Sequence, residues 1–351
     1  MRNRPHAILH RPSSILVCAL LTLPALAQTN IDLMIKPFAE KTPIDVNATG
    51  YVLASGHTDR PANDDYQLSI IDLYGRYRFA PSERYDPRLG FNATFLNFDS
   101  DNPNVPDGLL DTSVAVGLGV YEDKHEGWQA GITLGIGYAG ARGGPAGDDL
   151  FSDKNALYGK ASILIGKHFS KTDALLIVID YDGNRTFKPD VPIPGIAYQK
   201  QLFGNPNADK QRGPFEPTLL LTLGVPFSSV HWQPMERLTV DASYLFPDNF
   251  SARVDYDLLG DRKLGVFGAL DTRRDAFHWN ALRHGDDRLL YYQRRAELGL
   301  RWTPARKINL NLAAGYAFSQ ELTTGFDSTD EDKLTDLSDA PYLRLGLEVG
   351  F

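Results

Sequence analysis

The chain has 351 residues, 23 % of them charged, and a mean hydropathy of −0.28. No run of 18 or more apolar residues lies in its body, which excludes a polytopic helical membrane protein. A formal net charge of −8 offers no electrostatic footprint for nucleic acid, so a DNA- or RNA-binding role is set aside. Gly (31), Tyr (16) and Phe (18) are plentiful while Met (3) and Cys (1) are scarce, a balance that suits β structure.

Arg2, Arg4 and Arg11 precede an apolar stretch from Ile15 to Leu26 that closes on Ala25-Leu26-Ala27. This is the pattern of a secretory signal peptide over residues 1–27, with cleavage expected before Gln28. About 12 apolar residues are too few to span a bilayer as a helix. Cys18 falls inside this segment, so the exported chain is expected to lack cysteine, and with it disulfides, thiol catalysis and thiolate metal ligands. Losing the three arginines carries the net charge from −8 to −11.

From Asp45 onward, stretches of about 9–12 residues alternate between apolar and polar or small residues, the signature of β-strands. Trp128, Ala130, Ile132, Leu134, Ile136 and Tyr138 alternate with Gln129, Gly131, Thr133, Gly135 and Gly137. Ile308, Leu310, Leu312, Ala314, Tyr316 and Phe318 do the same, as do Leu343, Leu345, Leu347, Val349 and Phe351. Aromatic residues sit at the ends of apolar faces, as at Tyr77 and Phe79, Trp128 and Tyr138, Tyr244 and Phe246, Tyr292 and Trp302. Apolar-out alternation ending in aromatic girdles predicts an all-β, transmembrane, antiparallel up-and-down β-barrel over residues 28–351.

Fourteen strands are expected, near 45–55, 66–79, 88–98, 111–121, 127–141, 156–168, 173–182, 217–232, 237–246, 250–259, 263–275, 289–302, 307–319 and 342–351, with twelve as the next even count. With the C-terminus in the periplasm, the short connections 80–87, 122–126, 169–172, 233–235, 260–262 and 303–306 are periplasmic. Residues 56–65, 99–110, 142–155, 276–288 and 320–341 then lie outside. The parity of the count makes 183–216 one external excursion and rejects Ile193 to Gln201 as a spanning strand.

The last residues, Arg344-Leu345-Gly346-Leu347-Glu348-Val349-Gly350-Phe351, resemble the C-terminal β-signal of outer-membrane proteins, with Gly346, Leu347, Val349 and Phe351 at the matching positions. The resemblance implies recognition by the barrel-assembly machinery and a place in the outer membrane, among its lipid and lipopolysaccharide. Val225-Pro226-Phe227-Ser228-Ser229-Val230-His231-Trp232-Gln233-Pro234, Tyr244-Leu245-Phe246-Pro247 and Asp275-Ala276-Phe277-His278-Trp279 resemble an uncharacterised outer-membrane β-barrel family, domain-of-unknown-function family 6268. That likeness covers about the last third of the chain and brings no catalytic residues with it.

Gly135-Ile136-Gly137-Tyr138-Ala139-Gly140 fits the spacing of a dinucleotide-binding loop, but no helix N-terminus follows to hold a pyrophosphate, and the glycines fall on the inward face of a strand. The six histidines outside the leader, His57, His125, His168, His231, His278 and His284, show no metal-ligand spacing. No cofactor is expected. Asp271, Asp275, His278, His284, Asp286 and Asp287 cluster around one expected external loop, where a rim hydrolase would place its acid and base, and Ser229 with His231 share one face of a strand.

Inward-facing charge is the stronger signal. Arg237, Asp241, Arg253, Asp255, Asp257, Asp271, Arg273, Asp275, Arg295, Glu297, Arg301, Lys307, Arg344 and Glu348 lie on the non-apolar faces of successive strands. Acids and bases opposed across neighbouring strands would form a charge ladder lining a lumen. In the loop Phe326 to Ala340, Asp327, Asp330, Glu331, Asp332, Asp336 and Asp339 face only Lys333, the composition of a solvated external loop. The leading functional expectation is a passive pore or transport-related protein for small hydrophilic solutes. A structural or adhesive surface protein without conduction is the alternative, and an outer-membrane hydrolase with a rim site the third.

Overall fold

The computed structural model describes Leu33 and residues 43–61, 63–82, 84–122, 127–143, 151, 153–170, 172–204, 215–247, 249–260, 262–282, 287–305 and 307–350. Its strands are β1 (Ile44–Leu53), β2 (Gly56–His57), β3 (Asp65–Arg78), β4 (Tyr85–Ser100), β5 (Gly108–Tyr121), β6 (Gly127–Arg142), β7 (Leu157–His168), β8 (Asp173–Asp182) and β9 (Ile193–Phe203). They continue with β10 (Thr218–Val225), β11 (Phe227–Met235), β12 (Leu238–Leu245), β13 (Asn249–Asp257), β14 (Leu264–His278), β15 (Arg288–Ala305), β16 (Ile308–Gly325), β17 (Glu331–Leu337) and β18 (Ala340–Gly350). Sixteen of these pair antiparallel with their neighbours in chain order, and β1 pairs with both β3 and β18, which closes the sheet into a barrel without an edge. The other two, β2 and β17, are short additions on the outer flanks of β3 and β16.

The expected count of fourteen is corrected to sixteen, by two strands that parity concealed. The single strand read over 217–232 is a hairpin, β10 and β11, turning at Pro226, whose missing N–H cannot serve a central ladder. Ile193–Phe203, rejected as a spanning strand, is β9, paired with β8 on one side and β10 on the other. Adding both preserves an even total. It also puts Phe203 and Thr218, where β9 ends and β10 begins, at the end of the barrel that holds the short turns and both ends of the sheet at Ile44 and Gly350.

The alternation sorts the side chains as expected. Leu298, Leu312, Leu343 and Leu345 point outward and are exposed, while Asn311, Ala313, Arg344 and Gly346 point inward and are buried. Exposed large apolar residues repeated on the outer face around the barrel have lipid as their matching solvent. At the turn end Tyr77, Phe79, Tyr85, Trp128, Phe169, Trp232, Tyr256 and Trp302 form an outward aromatic belt. On β15 the next outward aromatic is Tyr292. The ten residues between Trp302 and Tyr292, at ~3.3 Å each and tilted ~40°, rise ~25 Å, the height of the apolar band of such barrels. Tyr138, read as part of a girdle, is instead buried beneath Phe151 at the loop end, packed with Leu110 and Ala156.

The wall is uneven. β14 to β16 run 15 to 18 residues and β3 to β6 run 14 to 16, whereas β10 to β13 have only 8 or 9. The top of β14 bends across the lumen until His278 pairs with Gly140 of β6, and the Trp279 indole N–H donates to the Gly143 carbonyl at 3.2 Å. This pinch divides the loop end into two lobes, one bounded by β14–β16, β18, β1 and β3–β6, the other by β6–β14.

Candidate functional site: the lumen and its outer mouth

In the first lobe the loop-end half is filled. Tyr51, Tyr66, Phe98, Phe277, Tyr291 and Tyr342 project from six strands and pack into an apolar cluster inside the barrel. Below it lies a layer of ion pairs. Asp271 and Arg295 sit opposite each other on β14 and β15 and join by a short charge-assisted contact, while the Arg295 guanidinium stacks on Tyr51 at 4.5 Å. Arg273 bonds Asp275 on its own strand and reaches across the lumen to Asp72 on β3 at 3.0 and 3.1 Å. Nearer the turn end Arg76 meets Asp45 at 2.7 Å, and Asp86 takes Arg78 at 2.6 Å and Arg88 at 2.8 Å. Arg88 also donates to the carbonyl of Leu33, whose side chain lies over Gly90. That buried leucine occupies the turn end of the same lobe.

Inward glycines let side chains pass over a strand to a partner two strands away. Tyr342 of β18 crosses Gly315 of β16, where a Cβ would lie 2.5 Å from the ring, and donates to Glu297 of β15 at 2.9 Å. Arg344 reaches the same carboxylate at 2.8 Å. Arg301 of β15 passes Gly265 of β14 to approach Asp255 of β13 at 3.4 Å, and Arg253 holds that acid at 2.6 Å. Tyr158 of β7 passes Gly137 of β6 to donate to Asp111 of β5 at 2.5 Å. The glycines of the apparent dinucleotide motif serve this crossing and hold no helix.

Thus Arg253, Asp255, Asp271, Arg273, Arg295, Glu297, Arg301 and Arg344 all lie on the lumen face in mutual contact, and Glu348, also inward, accepts from Asn309 at 3.3 Å. Of these the Asp271–Arg295 pair joins adjacent strands as the ladder expectation had it, as Arg76–Asp45, Arg78–Asp86 and Lys160–Asp182 do in the N-terminal half; the others act within a strand, over a glycine or across the lumen. Gly346, Leu347 and Val349 belong to β18 and pair with Thr49, Ala48 and Val46 at the seam of the barrel. Phe351 lies outside the described residues. So do the leader 1–27, His125, His284 and Asp286.

Two described members of the expected rim cluster lie elsewhere. Asp271 and Asp275 are engaged with arginines inside the barrel, away from Asp287 at the rim. Among the described residues no group of three or more His, Asp, Glu or Cys is placed to hold a metal. His231 Nδ1 lies 2.6 Å from Asp241 on the neighbouring strand, but Ser229, two positions along, is not hydrogen-bonded to that imidazole.

The acidic loop exposes Asp330, Asp332 and Asp339 as expected, but it is more ordered than a bare solvated excursion. It contains β17, whose Glu331 takes Arg274 at 2.6 Å, while Lys333 binds Asp336 at 2.7 Å. Asp327 is buried. Burial acts to raise its pKa, but the hydroxyl and backbone N–H of Thr329 and the backbone N–H and charge of Lys188 outweigh it and hold the carboxyl below the ordinary range. Sequence reading missed the charges of the N-terminal half. Asp72, Arg76 and Arg78 alternate along the inward face of β3, and Lys160, Asp180 and Asp182 repeat the pattern on β7 and β8; the period of two was present, but attention fell on the denser C-terminal series.

The second lobe differs. On β9 the inward residues Gly195, Ala197, Gln199 and Gln201 are half-exposed from one end of the strand to the other, and Ser229, His231 and Gln233 on β11 share that character. Thr222, Asp241, Ser243 and Ser251 complete a small and polar wall. Over its mouth folds the segment 183–192, tied down by Asn184, which donates to Asp111 at 3.3 Å and to the Ala276 carbonyl at 3.0 Å.

No family model and no curated protein matches the chain. Among solved structures it is similar to a Pseudomonas aeruginosa FadL homologue (10 % identity, 92 % of this chain and 93 % of that one, TM-score 0.42) and to the Pseudomonas putida toluene transporter TodX (11 %, 91 % and 92 %, 0.40). It is also similar to the translocator domain of the autotransporter NalP from Neisseria meningitidis (11 %, 89 % and 90 %, 0.30). The closed antiparallel β-barrel does not depend on these likenesses. The strand pairing of this chain carries its own assignment to that fold.

Proposed function

We propose that the chain is an integral outer-membrane barrel that passes small hydrophilic solutes through its second lobe. The observation that carries this reading is the strip of half-exposed, small or amide-bearing inward residues along the whole of β9, Gly195 to Gln201, because a continuous accessible wall is what a solute path requires. The first lobe, filled by aromatic side chains and neutralised by ion pairs, acts as a rigid half that fixes the position of the other. Export by the leader, assembly through Gly346, Leu347, Val349 and Phe351, and contact with lipid and lipopolysaccharide belong to the same reading.

Liposome swelling with a pentose tests it. Ala197→Trp puts an indole on the inward face of β9 and should slow swelling several-fold, whereas Ile196→Trp, on the lipid face, should leave the rate unchanged. Inserted wild-type barrels that give no swelling would overturn the reading in favour of a structural or adhesive surface protein, which the filled first lobe would equally suit.

A further inference from the structure

Among the described residues every other buried arginine meets a carboxylate, and the exception lies at the mouth of the polar lobe. Arg288 begins β15 above the level of Tyr292 and is only 2 % exposed. Its Nε and Nη2 donate to the carbonyl of Phe326 at 3.0 and 2.7 Å, and Nη2 also reaches the Arg185 carbonyl at 3.0 Å. Its Nη1 is buried without a hydrogen-bond partner. Among the described residues no carboxylate lies within ion-pair distance of it, in contrast to Arg76, Arg88, Arg273, Arg295 and Arg344. The nearby acids are spent elsewhere, Asp327 on Lys188 at 3.5 Å and Asp182 on Lys160 at 3.2 Å.

Arg288 forms part of the wall of a cavity of about 270 Å³, shared with Asn155, Tyr158, Tyr181, Asp190 and Phe326. A buried guanidinium satisfied only by neutral carbonyls keeps its full charge, and a low-dielectric wall carries that charge into the adjoining space. With Nε and Nη2 held by carbonyls the charge acts on that space through the wall, and one uncompensated positive charge favours a monoanion, of which carboxylate is the common organic kind. A cavity of about 150 Å³ holds benzene, so this one has room for about ten non-hydrogen atoms. Asp190, the one carboxylate among the described residues of its wall, is exposed to solvent, which weakens its opposing charge.

We propose that this cavity is the entry site of the polar lobe for small organic carboxylates, with Arg288 supplying the charge that receives them. The inference rests on the transport reading for its place in function and names the class of solute that reading leaves open.

Benzoate is the probe and benzamide, nearly isosteric and neutral, its control. In titration calorimetry of the full detergent-folded chain, benzoate should bind saturably at one site and benzamide at least tenfold more weakly. Arg288→Gln should weaken benzoate at least tenfold, Arg288→Lys by less, and Asp190→Asn should tighten it a few-fold by removing the opposing charge. Absent benzoate binding, equal binding of benzamide, or an unchanged affinity in Arg288→Gln overturns the proposal. If Arg288→Gln fails to show heat-modifiable migration, the benzamide comparison and Asp190→Asn decide the matter on folded protein. Benzoate flux into vesicles separates the two readings. Binding without flux removes the transport reading and leaves the site; flux without binding removes the site alone.

Discussion

The depth of each outward residue in the bilayer can be worked from register, and it yields a sharp comparison. Leu298 is 75 % exposed on the outer face of β15, four residues from Trp302 and six from Tyr292. At ~3.3 Å per residue and ~40° of tilt it lies ~10 Å inside the turn-end aromatic belt, close to the middle of a band ~25 Å tall. Leu310 faces the same lipid, but β16 pairs it directly with Trp302, so it sits at the belt itself. An arginine at the midplane costs ~2–4 kcal/mol and one near the interface ~0–1. Leu298→Arg is therefore expected to lose about 2–3 kcal/mol more than Leu310→Arg, since the first holds a guanidinium in hydrocarbon and the second lets it snorkel to the head groups. Reversible guanidinium unfolding from phospholipid vesicles measures both. Equal losses, or a larger loss at 310, would refute the depth assignment and with it the reading of the Trp302 belt as a membrane boundary.

Arg295→Gln strands the buried Asp271 carboxylate and should cost about 3–5 kcal/mol, much of which the double variant with Asp271→Asn should restore; the same vesicle unfolding reports it. Asp327 has a depressed pKa, so its contribution to the loop is complete above the ordinary carboxylate range and is lost as pH falls through its lower folded value. The protection factor of the Thr329 amide should thus be unchanged from pH 7 to 5 and fall only below about pH 4, and Asp327→Asn should abolish that dependence. Phe351→Ala should lower the yield of heat-modifiable barrel if the terminal residues act as an assembly signal; unchanged yield would count against that role.

The barrel was legible because its physics is local. A lipid-facing strand needs an apolar residue at every second position, and Leu343 to Val349 state that without reference to anything distant. Strand number was less legible, because it depends on recognising turns. Pro226 marked the β10–β11 turn, yet the apolar residues on both sides read as one long strand. Ile193–Phe203 kept the period of two but was discarded by counting. The lumen resisted reading for another reason. Alternation says that Arg344 points inward but not that it passes over β16 to Glu297, since that contact is set by glycine spacing on a strand in between. Arg288 was invisible for the same cause, its isolation being a property of the segments 183–192 and 326–330 folded against it.

The glycine crossings bear on how such a wall is put together. A hairpin alone has one ladder, and sliding it by two residues keeps the same faces in place. Tyr342 over Gly315 to Glu297, and Tyr158 over Gly137 to Asp111, each tie three strands at one height. A slip by two residues in either outer strand withdraws the hydroxyl from its acid, and a slip of β18 also sets the Tyr342 ring against Ala313 or Ala317. Each crossing therefore checks a pairing two steps after it was made, and the newest strand proofreads the one laid down before its neighbour.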